Sequence, residues 1–397
     1  MNGFARAARR ACRAATAIGL SLAAQAMLAA PYTPASDDVV LETLPAATSA
    51  LARELAAEHR ALAREPHDLP RAAALAWRYV EAGRSAGDPR YAGLAEGLMA
   101  PWFTASEPPA EALLLRATLR QSRHDFAGAE RDLAALLARE PRNAQAWLTR
   151  AVVAKVRGDL ALAERSCIPL LQLADALTAT TCLADVAALS GRAGAAERAL
   201  AAVLERAPGI ETPQQQWALV TLAEIRERRG DVRGAEASYR AALAHGRDGY
   251  SLAAHADFLL GARRANEVLE LLGDDRRADG LLLRRALAER QLRAAELAPT
   301  LRELRARFAA SRLRGESLHA GEEARFMLAF GSAGEALALA RENFELQREP
   351  RDVGVLLEAA IAANDAAAAR PALTFLSATK LEDVRLTALA ARARALR

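Results

Sequence analysis

The sequence LLLRATLRQSRHDFAGAERDLAALLAREPRNA, residues 113–144, is the most informative part of the chain, because its pattern is repeated directly afterwards. The next copy is WLTRAVVAKVRGDLALAERSCIPLLQLADALT, residues 147–178, at an offset of 34 residues. Ala117 of the first copy corresponds to Ala151 of the second. A fixed period of this length is typical of proteins that are built from stacked structural repeats.

Small residues recur in pairs twelve positions apart through four successive copies. Two antiparallel helices approach closely only where the side chains at the contact are small, so these alanines mark the crossing of two helices within a unit. A large apolar residue four positions after each pair is expected to fill the gap to the next unit. The alanine pairs are Ala117/Ala129, Ala151/Ala163, Ala184/Ala196 and Ala223/Ala235, and the large residues are Leu133, Cys167, Leu200 and Tyr239.

A glycine, usually followed by aspartate or arginine, separates the two helices of most copies. Glycine adopts a positive φ readily and can end a helix, and an aspartate after it can cap the next helix by accepting backbone N–H groups. Pro141 and Pro208 lie in the turns that connect one copy to the next. The predicted unit is a helix of about 14 residues, a turn, and a second helix. The glycine position is held by Gly158, Gly191, Gly230 and, in the first copy, by His124.

The same turn explains two Arg-Gly-Asp tripeptides, at residues 157–159 and 229–231. In adhesion proteins this tripeptide can be a receptor ligand, which requires a projecting, flexible loop. A short turn clamped between two helices does not provide such a loop. We therefore interpret both tripeptides as repeat turns.

This pattern resembles the tetratricopeptide repeat. The resemblance is strongest over residues 110–246, whereas residues 46–109 and 247–397 carry divergent or capping units. It implies an all-α protein in which about eight helix-turn-helix units form an α-solenoid, a right-handed superhelix. The phase of the repeats in residues 280–320 stays open.

The N-terminus is typical of a cleavable signal peptide, residues 1–26. Residues 1–13 are basic, residues 14–28 are apolar and small, and residues 24–26 (AQA) fit a cleavage site. The alternative is a retained membrane anchor, but polar residues and prolines interrupt the apolar run. An extended segment, residues 27–45, would precede the solenoid. We expect a periplasmic or secreted protein without membrane insertion of the mature chain, similar to exported bacterial members of the tetratricopeptide superfamily.

The positive net charge of +4 does not indicate nucleic-acid binding. Four arginines fall in the predicted signal peptide, and removing them leaves 53 − 4 = 49 basic residues against 49 acidic ones. A balanced, interspersed surface is a poor match for a phosphate backbone. The four arginines are Arg6, Arg9, Arg10 and Arg13.

Motifs for catalysis are missing from the sequence. The six histidines form neither H-E-x-x-H nor a Cys/His pair at metal-binding spacing. No G-x-S-x-G elbow, phosphate-binding loop or dinucleotide fingerprint occurs. We therefore expect neither an enzyme nor a bound cofactor or metal.

Removal of the signal peptide would leave Cys167 and Cys182 as the remaining cysteines. They lie on adjoining helices at similar distances from the turn near residues 174–175, so antiparallel packing would bring them to one level. In an oxidising compartment such a pair can form a disulfide. The alternative is two separate small residues of the core.

The resemblance implies a concave groove, lined by the first helices, that holds a peptide or a partner's helix. The later part of the predicted lining is acidic and contains two aromatic residues, Trp217 and Tyr250, which would anchor a segment of basic character. The alternative is an ordinary solvated face. The predicted groove residues are Gln121, Gln145, Lys155, Asp185, Trp217, Glu224, Glu227, Tyr250 and Asp257.

These observations together predict a non-enzymatic protein–protein interaction scaffold of the bacterial cell envelope, with a protein or peptide partner in the groove. A periplasmic chaperone or carrier with transient clients is an alternative. A binder of glycans or small molecules is another. The sequence does not separate the three.

Overall fold

The computed structural model describes residues 36, 50–65, 67–86, 88, 90–206, 213–276, 278–313 and 320–396. The chain divides into two compact units, Met1–Arg53 and Glu54–Arg397. The predicted signal peptide lies outside the described residues, and so does the predicted extended segment apart from Ser36. The predicted groove belongs to the second unit.

The secondary structure of the described residues is helical, and none of these helices is long and apolar enough to cross a membrane. In chain order the helices are α1 (Ala50–Leu62), α2 (Leu69–Ala86), α3 (Arg90–Phe103), α4 (Ala110–Ser122), α5 (Phe126–Arg139), α6 (Ala144–Val156), α7 (Leu160–Cys167), α8 (Leu170–Leu173), α9 (Ala176–Ala188), α10 (Ala193–Arg206), α11 (Pro213–Arg229), α12 (Val232–His245), α13 (Gly249–Gly261), α14 (Ala265–Leu272), α15 (Asp279–Leu292), α16 (Leu297–Leu313), α17 (Ala320–Phe330), α18 (Ala333–Leu346), α19 (Pro350–Ala362), α20 (Ala366–Thr379) and α21 (Val384–Arg394).

Helices α2 to α20 form consecutive helix-turn-helix pairs, and the first helix of each pair also packs against the first helix of the next. This arrangement confirms the predicted all-α solenoid. The described residues contain nine pairs rather than about eight, because α15 with α16 and α19 with α20 are full pairs. Helix α21 follows as a single terminal helix. The pairs are α2/α3, α4/α5, α6/α7 with the short α8, α9/α10, α11/α12, α13/α14, α15/α16, α17/α18 and α19/α20.

A residue of positive φ ends the first helix in most pairs, as the glycine pattern predicted. The aspartates that follow cap the second helices: Asp125, Asp159 and Asp231 accept the backbone N–H three residues on. Within the described part of residues 280–320, Arg293 adopts a φ of 54° between α15 and α16, which gives the repeat phase of this pair. The positive-φ residues at these turns are His124, Gly158, Gly191, Gly230, Arg263, Arg293 and Asn364.

The predicted crossing alanines and the large residues four positions later form the core of the solenoid. All eight alanines and all four large residues are buried, none with more than 4% of its surface exposed. A larger side chain at a crossing would push two helices apart, at a cost of about 1–3 kcal/mol. The repeat pattern is therefore a packing pattern.

A glutamate directly after the second crossing alanine links each unit to the next. Its carboxylate pairs with an arginine of the following unit, at distances from 2.6 to 3.1 Å. Single pairs of this exposure contribute at most about 1 kcal/mol each, so they orient neighbouring units more than they stabilise them. The pairs are Glu130–Arg150, Glu164–Arg192, Glu197–Arg226 and Glu236–Arg264.

The C-terminal pairs return to the turns of much earlier pairs. The Arg348 N–H donates to the carbonyl of Val156 over 2.7 Å, and the Ala193 N–H donates to Glu382 over 3.1 Å. We call residues 347–349 and 380–384 the C-terminal clasp. These contacts bring the late part of the solenoid to the predicted groove.

Candidate peptide-binding groove

The predicted groove residues lie on the first helices of five consecutive pairs, α4, α6, α9, α11 and α13. Six of them form one connected group through hydrogen bonds, ion pairs or charge interactions. Gln121 and Gln145 lie outside this group, and Gln145 is exposed and contacts Thr149 of its own helix at 3.3 Å. The connected residues are Lys155, Asp185, Glu224, Glu227, Tyr250 and Asp257.

Lys155 is neutralised by two carboxylates. Its Nζ lies 2.8 Å from Asp185 and 3.3 Å from Glu349 of the C-terminal clasp. Burial alone would lower the pKa of Lys155, but the two carboxylates outweigh burial and hold this pKa well above its usual value. The ammonium therefore stays charged and joins α6, α9 and the start of α19.

Asp257 has basic partners within the chain itself. Its carboxylate lies 2.7 Å from Arg284, 2.8 Å from Arg325 and 3.5 Å from Arg351. Burial opposes ionisation, but the three guanidinium groups hold the pKa of Asp257 far below its usual value. The basic character expected of a foreign segment is thus supplied at this carboxylate by α15, α17 and α19.

Arg284 is the fully buried centre of this network, with 0% of its side chain exposed. It donates to Asp257, to Glu322 over 2.9 Å, and to the carbonyls of Ala253 and Gly280 over 3.2 and 2.7 Å. A buried charge is tolerated only when it is paired and its N–H groups are satisfied. Arg284 meets both conditions.

Glu224 and Glu227 differ from the other carboxylates of the groove. Each accepts a hydrogen bond of 2.6 Å from a tyrosine hydroxyl, Glu224 from Tyr250 and Glu227 from Tyr239. Within the described residues neither makes a salt bridge, although Arg228 lies nearby. Burial raises the pKa of Glu224, and it raises the pKa of Glu227 to about 7. In the part of the chain that the structure describes, no cation forms a salt bridge with these two carboxylates.

Arg228 does not complete the pair of glutamates. Its Nε and Nη2 atoms are buried and have no hydrogen-bond partner among the described residues. Buried donors and carboxylates that do not meet one another are costly, since each forgoes water without gaining a partner. The cluster of Glu224, Glu227 and Arg228 is therefore incompletely satisfied.

The two predicted aromatic anchors have different surroundings. Tyr250 is 51% exposed, and its hydroxyl donates to Glu224. Trp217 is partly buried against the apolar cluster around Leu170 and the two cysteines. Tyr250 is thus accessible beside the unpaired carboxylates, whereas Trp217 mainly covers a core.

Cys167 and Cys182 form a disulfide in the structure, with a Cα–Cα distance of 5.7 Å. Both residues are buried, and they join α7 of one pair to α9 of the next. The Trp217 ring packs over this cluster. The bridge thereby supports the wall of the groove from which α11 projects its carboxylates.

Sequence reasoning missed the arginines that pair with Asp257 and the glutamate that pairs with Lys155. Arg284, Arg325 and Arg351 lie 27 to 94 residues after Asp257. The helical position of these arginines could have indicated the pairing. All three lie on first helices of their pairs, as Asp257 does. Across the described residues, no group of three or more His, Cys, Asp or Glu side chains is placed to hold a metal ion.

No family model matches this chain, and no curated protein matches it. Among solved structures, a human IFIT1 dimer with m7Gppp-AAAA is 13% identical with a TM-score of 0.38, and 87% of each chain is covered. A human IFIT1 dimer with PPP-AAAA is 14% identical with a TM-score of 0.38, covering 88% of this chain and 91% of that one. Naa15/Naa10 bound to HypK-THB is 15% identical with a TM-score of 0.25, covering 87% and 63%. At these values the similarity says nothing about what this chain binds.

Proposed function

We propose that this protein is a non-enzymatic interaction scaffold of the bacterial cell envelope that binds a basic protein segment in the groove. The observation that carries the proposal is the pair Glu224 and Glu227. Both are held by tyrosine hydroxyls and lack a salt bridge within the described residues. Asp185 and Asp257, by contrast, already have cationic partners in the chain.

A cationic side chain of the partner would offset the desolvation of these carboxylates. Burial disfavours the charged form of Glu227, and an arriving guanidinium or ammonium group favours it. Tyr250, half exposed beside Glu224, offers an aromatic face on which such a side chain can pack. The pair therefore suits an arginine or lysine better than an apolar anchor.

Export of the chain is part of the proposal. Its support is the N-terminal pattern of a basic stretch, an apolar stretch and a small-residue cleavage site in residues 1–26. The Cys167–Cys182 disulfide agrees with an oxidising compartment. Fractionation of cells that express the full chain tests it, since a mature protein that stays in the cytoplasm would contradict export.

Site-specific photocrosslinking in cells tests binding in the groove. A photoreactive phenylalanine analogue replaces Tyr250, and in a second variant it replaces Leu313, a residue that is 78% exposed on α16. We expect one dominant adduct, identified by mass spectrometry, at position 250 and not at position 313. Crosslinks to many unrelated proteins would favour a chaperone instead, and equal labelling at both positions would contradict a groove site.

A charge-neutral double variant tests the role of the two carboxylates. Glu224→Gln with Glu227→Gln removes both charges but keeps a hydrogen-bond acceptor for Tyr239, the one tyrosine of the pair that remains when position 250 carries the photoreactive group. With the photoreactive group retained at position 250, we expect the adduct to disappear. Glu270→Gln, an exposed position on α14, is the matched control and should leave the adduct unchanged. Persistence of the adduct in the double variant would remove these carboxylates from the binding site.

A further inference from the structure

The C-terminal clasp contacts four successive turns of the solenoid. Gln347 lies 3.4 Å from the His124 ring, 223 residues away, and Glu382 accepts from Ala193, 189 residues away. Val384 lies beside Gly230 in the fourth of these turns. The turns belong to α4/α5, α6/α7, α9/α10 and α11/α12, four of the five pairs that line the groove.

Helix ends supply the polar groups of these contacts. The first N–H groups and the last carbonyls of a helix have no partner inside the helix. Ala193 is the first residue of α10, and its N–H is satisfied by Glu382. Val156 is the last residue of α6, and its carbonyl accepts from Arg348. The clasp thus caps two helix ends of distant pairs.

Two turn glycines permit the close approach of the clasp and its neighbour α20. A Cβ atom on Gly158 would lie 2.8 Å from the Phe375 ring and 3.1 Å from the Arg348 Cβ. One on Gly191 would lie 3.0 Å from the Lys380 Cβ. The turns therefore serve two purposes, ending a helix and accommodating the C-terminal pairs.

These contacts lie mostly outside the cores that hold each unit together. In a solenoid, each repeat is stabilised by its own helices and its immediate neighbours. The apolar part of the contact comes mainly from Leu346, which packs on the cluster around Leu133, and from Phe375. Glu382 and Val384 remain exposed. Loss of the clasp would therefore leave the individual pairs folded.

The start of α19 and its N-cap residue also lie within the groove network. Glu349 pairs with Lys155 at 3.3 Å, and Arg351 approaches Asp257 at 3.5 Å and Glu322 at 3.9 Å. These ion pairs are longer than the two pairs of Arg284, at 2.7 and 2.9 Å, and Arg351 is 38% exposed. The buried pairs of Arg284 with Asp257 and Glu322 do not depend on Arg351.

We propose that the C-terminal clasp is a releasable closure of the groove, and that the Glu349–Arg351 segment is an internal occupant that a basic partner displaces. The regulatory role rests on the proposed function, whereas the release itself does not. Opening separates the clasp from the four turns while all helix pairs stay folded. Entry of a partner at Glu224 and Glu227 then competes with the Glu349–Arg351 segment for space in the groove, while Arg351 itself pairs with Asp257 and Glu322.

Hydrogen–deuterium exchange on the full mature chain tests the release. Glu382→Ala removes the acceptor of Ala193 directly, so the informative amide is that of Arg348, which keeps its own acceptor. We expect the Arg348 amide to exchange about fivefold faster in the variant, because both contacts open together. Amides in the centres of α9 and α11 should be unchanged. Glu65→Ala, which removes the exposed Glu65–Arg71 pair at the other end of the solenoid, is the matched control and should change neither set.

Two results would overturn parts of the inference separately. An Arg348 amide that exchanges at the slow rate of the core helices, in the wild type and in Glu382→Ala alike, means that the clasp opens only with global unfolding. Faster Arg348 exchange without a higher photocrosslinking yield at position 250 would refute the gating role while leaving the scaffold function intact. The proposed function has its own test in the Glu224→Gln/Glu227→Gln variant, so the two failures remain distinguishable.

Discussion

At the scale of single residues, Glu227 couples the groove to pH. Burial raises its pKa to about 7 in the folded chain, against 4.5 for an unperturbed glutamate. The folded state therefore binds a proton between these pH values that the unfolded chain has already released. The contribution of this bound proton to the stability of the folded state is fully present below about pH 4.5 and is lost as pH rises through about 7. The folded state is therefore least stable at pH values where Glu227 is ionised.

Glu227→Gln should remove this dependence. We expect the variant to be more stable than the wild type by about 1–3 kcal/mol at about pH 8 and equal to it near pH 4.5, after allowance for partial solvent screening. Chemical denaturation at both pH values measures the difference. Glu270→Gln, exposed on α14, should show no difference at either pH. An equal effect of Glu227→Gln at both pH values would contradict the raised pKa.

The sequence located groove residues by their helical phase but could not assign their partners. Lys155 and Asp185 were both predicted, and the structure brings them to 2.8 Å. The arginines of Asp257 come from helices whose position depends on the accumulated rotation of several pairs. No local sequence pattern encodes that rotation. The sequence therefore could not show that Asp257, which was expected to bind a partner protein, is paired with arginines of the chain itself.

At the scale of the structural element, the repeat turn was the most predictable feature. The turn needs a residue of positive φ and a residue that caps the next helix. Both are local requirements, so glycine and aspartate at fixed positions predict the turn directly. The contact of these turns with the C-terminal clasp was not predictable, because the sequence of a turn does not indicate which distant residues will contact it. Gly158 and Gly230 make the distinction testable.

Gly158→Ala and Gly230→Ala should differ in cost although both positions have positive φ, 79° and 83°. Each variant incurs backbone strain of about 1–2 kcal/mol. At Gly230 the new Cβ would meet Val384 at an ordinary 3.5 Å, whereas at Gly158 it would lie 2.8 Å from Phe375. We expect Gly158→Ala to lower the free energy of unfolding by about 1 kcal/mol more than Gly230→Ala does, as measured by chemical denaturation. Equal costs would mean that Phe375 moves away freely.

The disulfide belongs to the same scale, since it joins two neighbouring pairs. Its loop spans 15 residues, for which loop closure contributes about 3 kcal/mol. Addition of a reductant should therefore lower the melting temperature of the wild type. Cys167→Ala/Cys182→Ala should melt lower from the start and be insensitive to reductant. A wild type whose melting is unaffected by reductant would show that the bridge adds no stability.

At the scale of the whole second unit, the solenoid makes long-range contacts that its repeat pattern does not require. Residues of the C-terminal pairs satisfy helix ends 189 and more residues earlier, while each pair keeps its own core. The groove is therefore built from two parts, a wall of first helices and a closing segment from α18 to α19. The unpaired Glu224 and Glu227 lie on the wall, where closure by the chain's own arginines does not reach them.

Binding of a basic segment at Glu224 and Glu227 can be measured with the photocrosslinked partner segment, made as a synthetic peptide, as its affinity for two forms of the protein at about pH 8. The wild type and Glu224→Gln/Glu227→Gln are compared by calorimetry, with Glu270→Gln as the control. We expect the double variant to bind at least about tenfold more weakly, because a desolvated charge pair is lost. Affinities within about twofold of each other would contradict it.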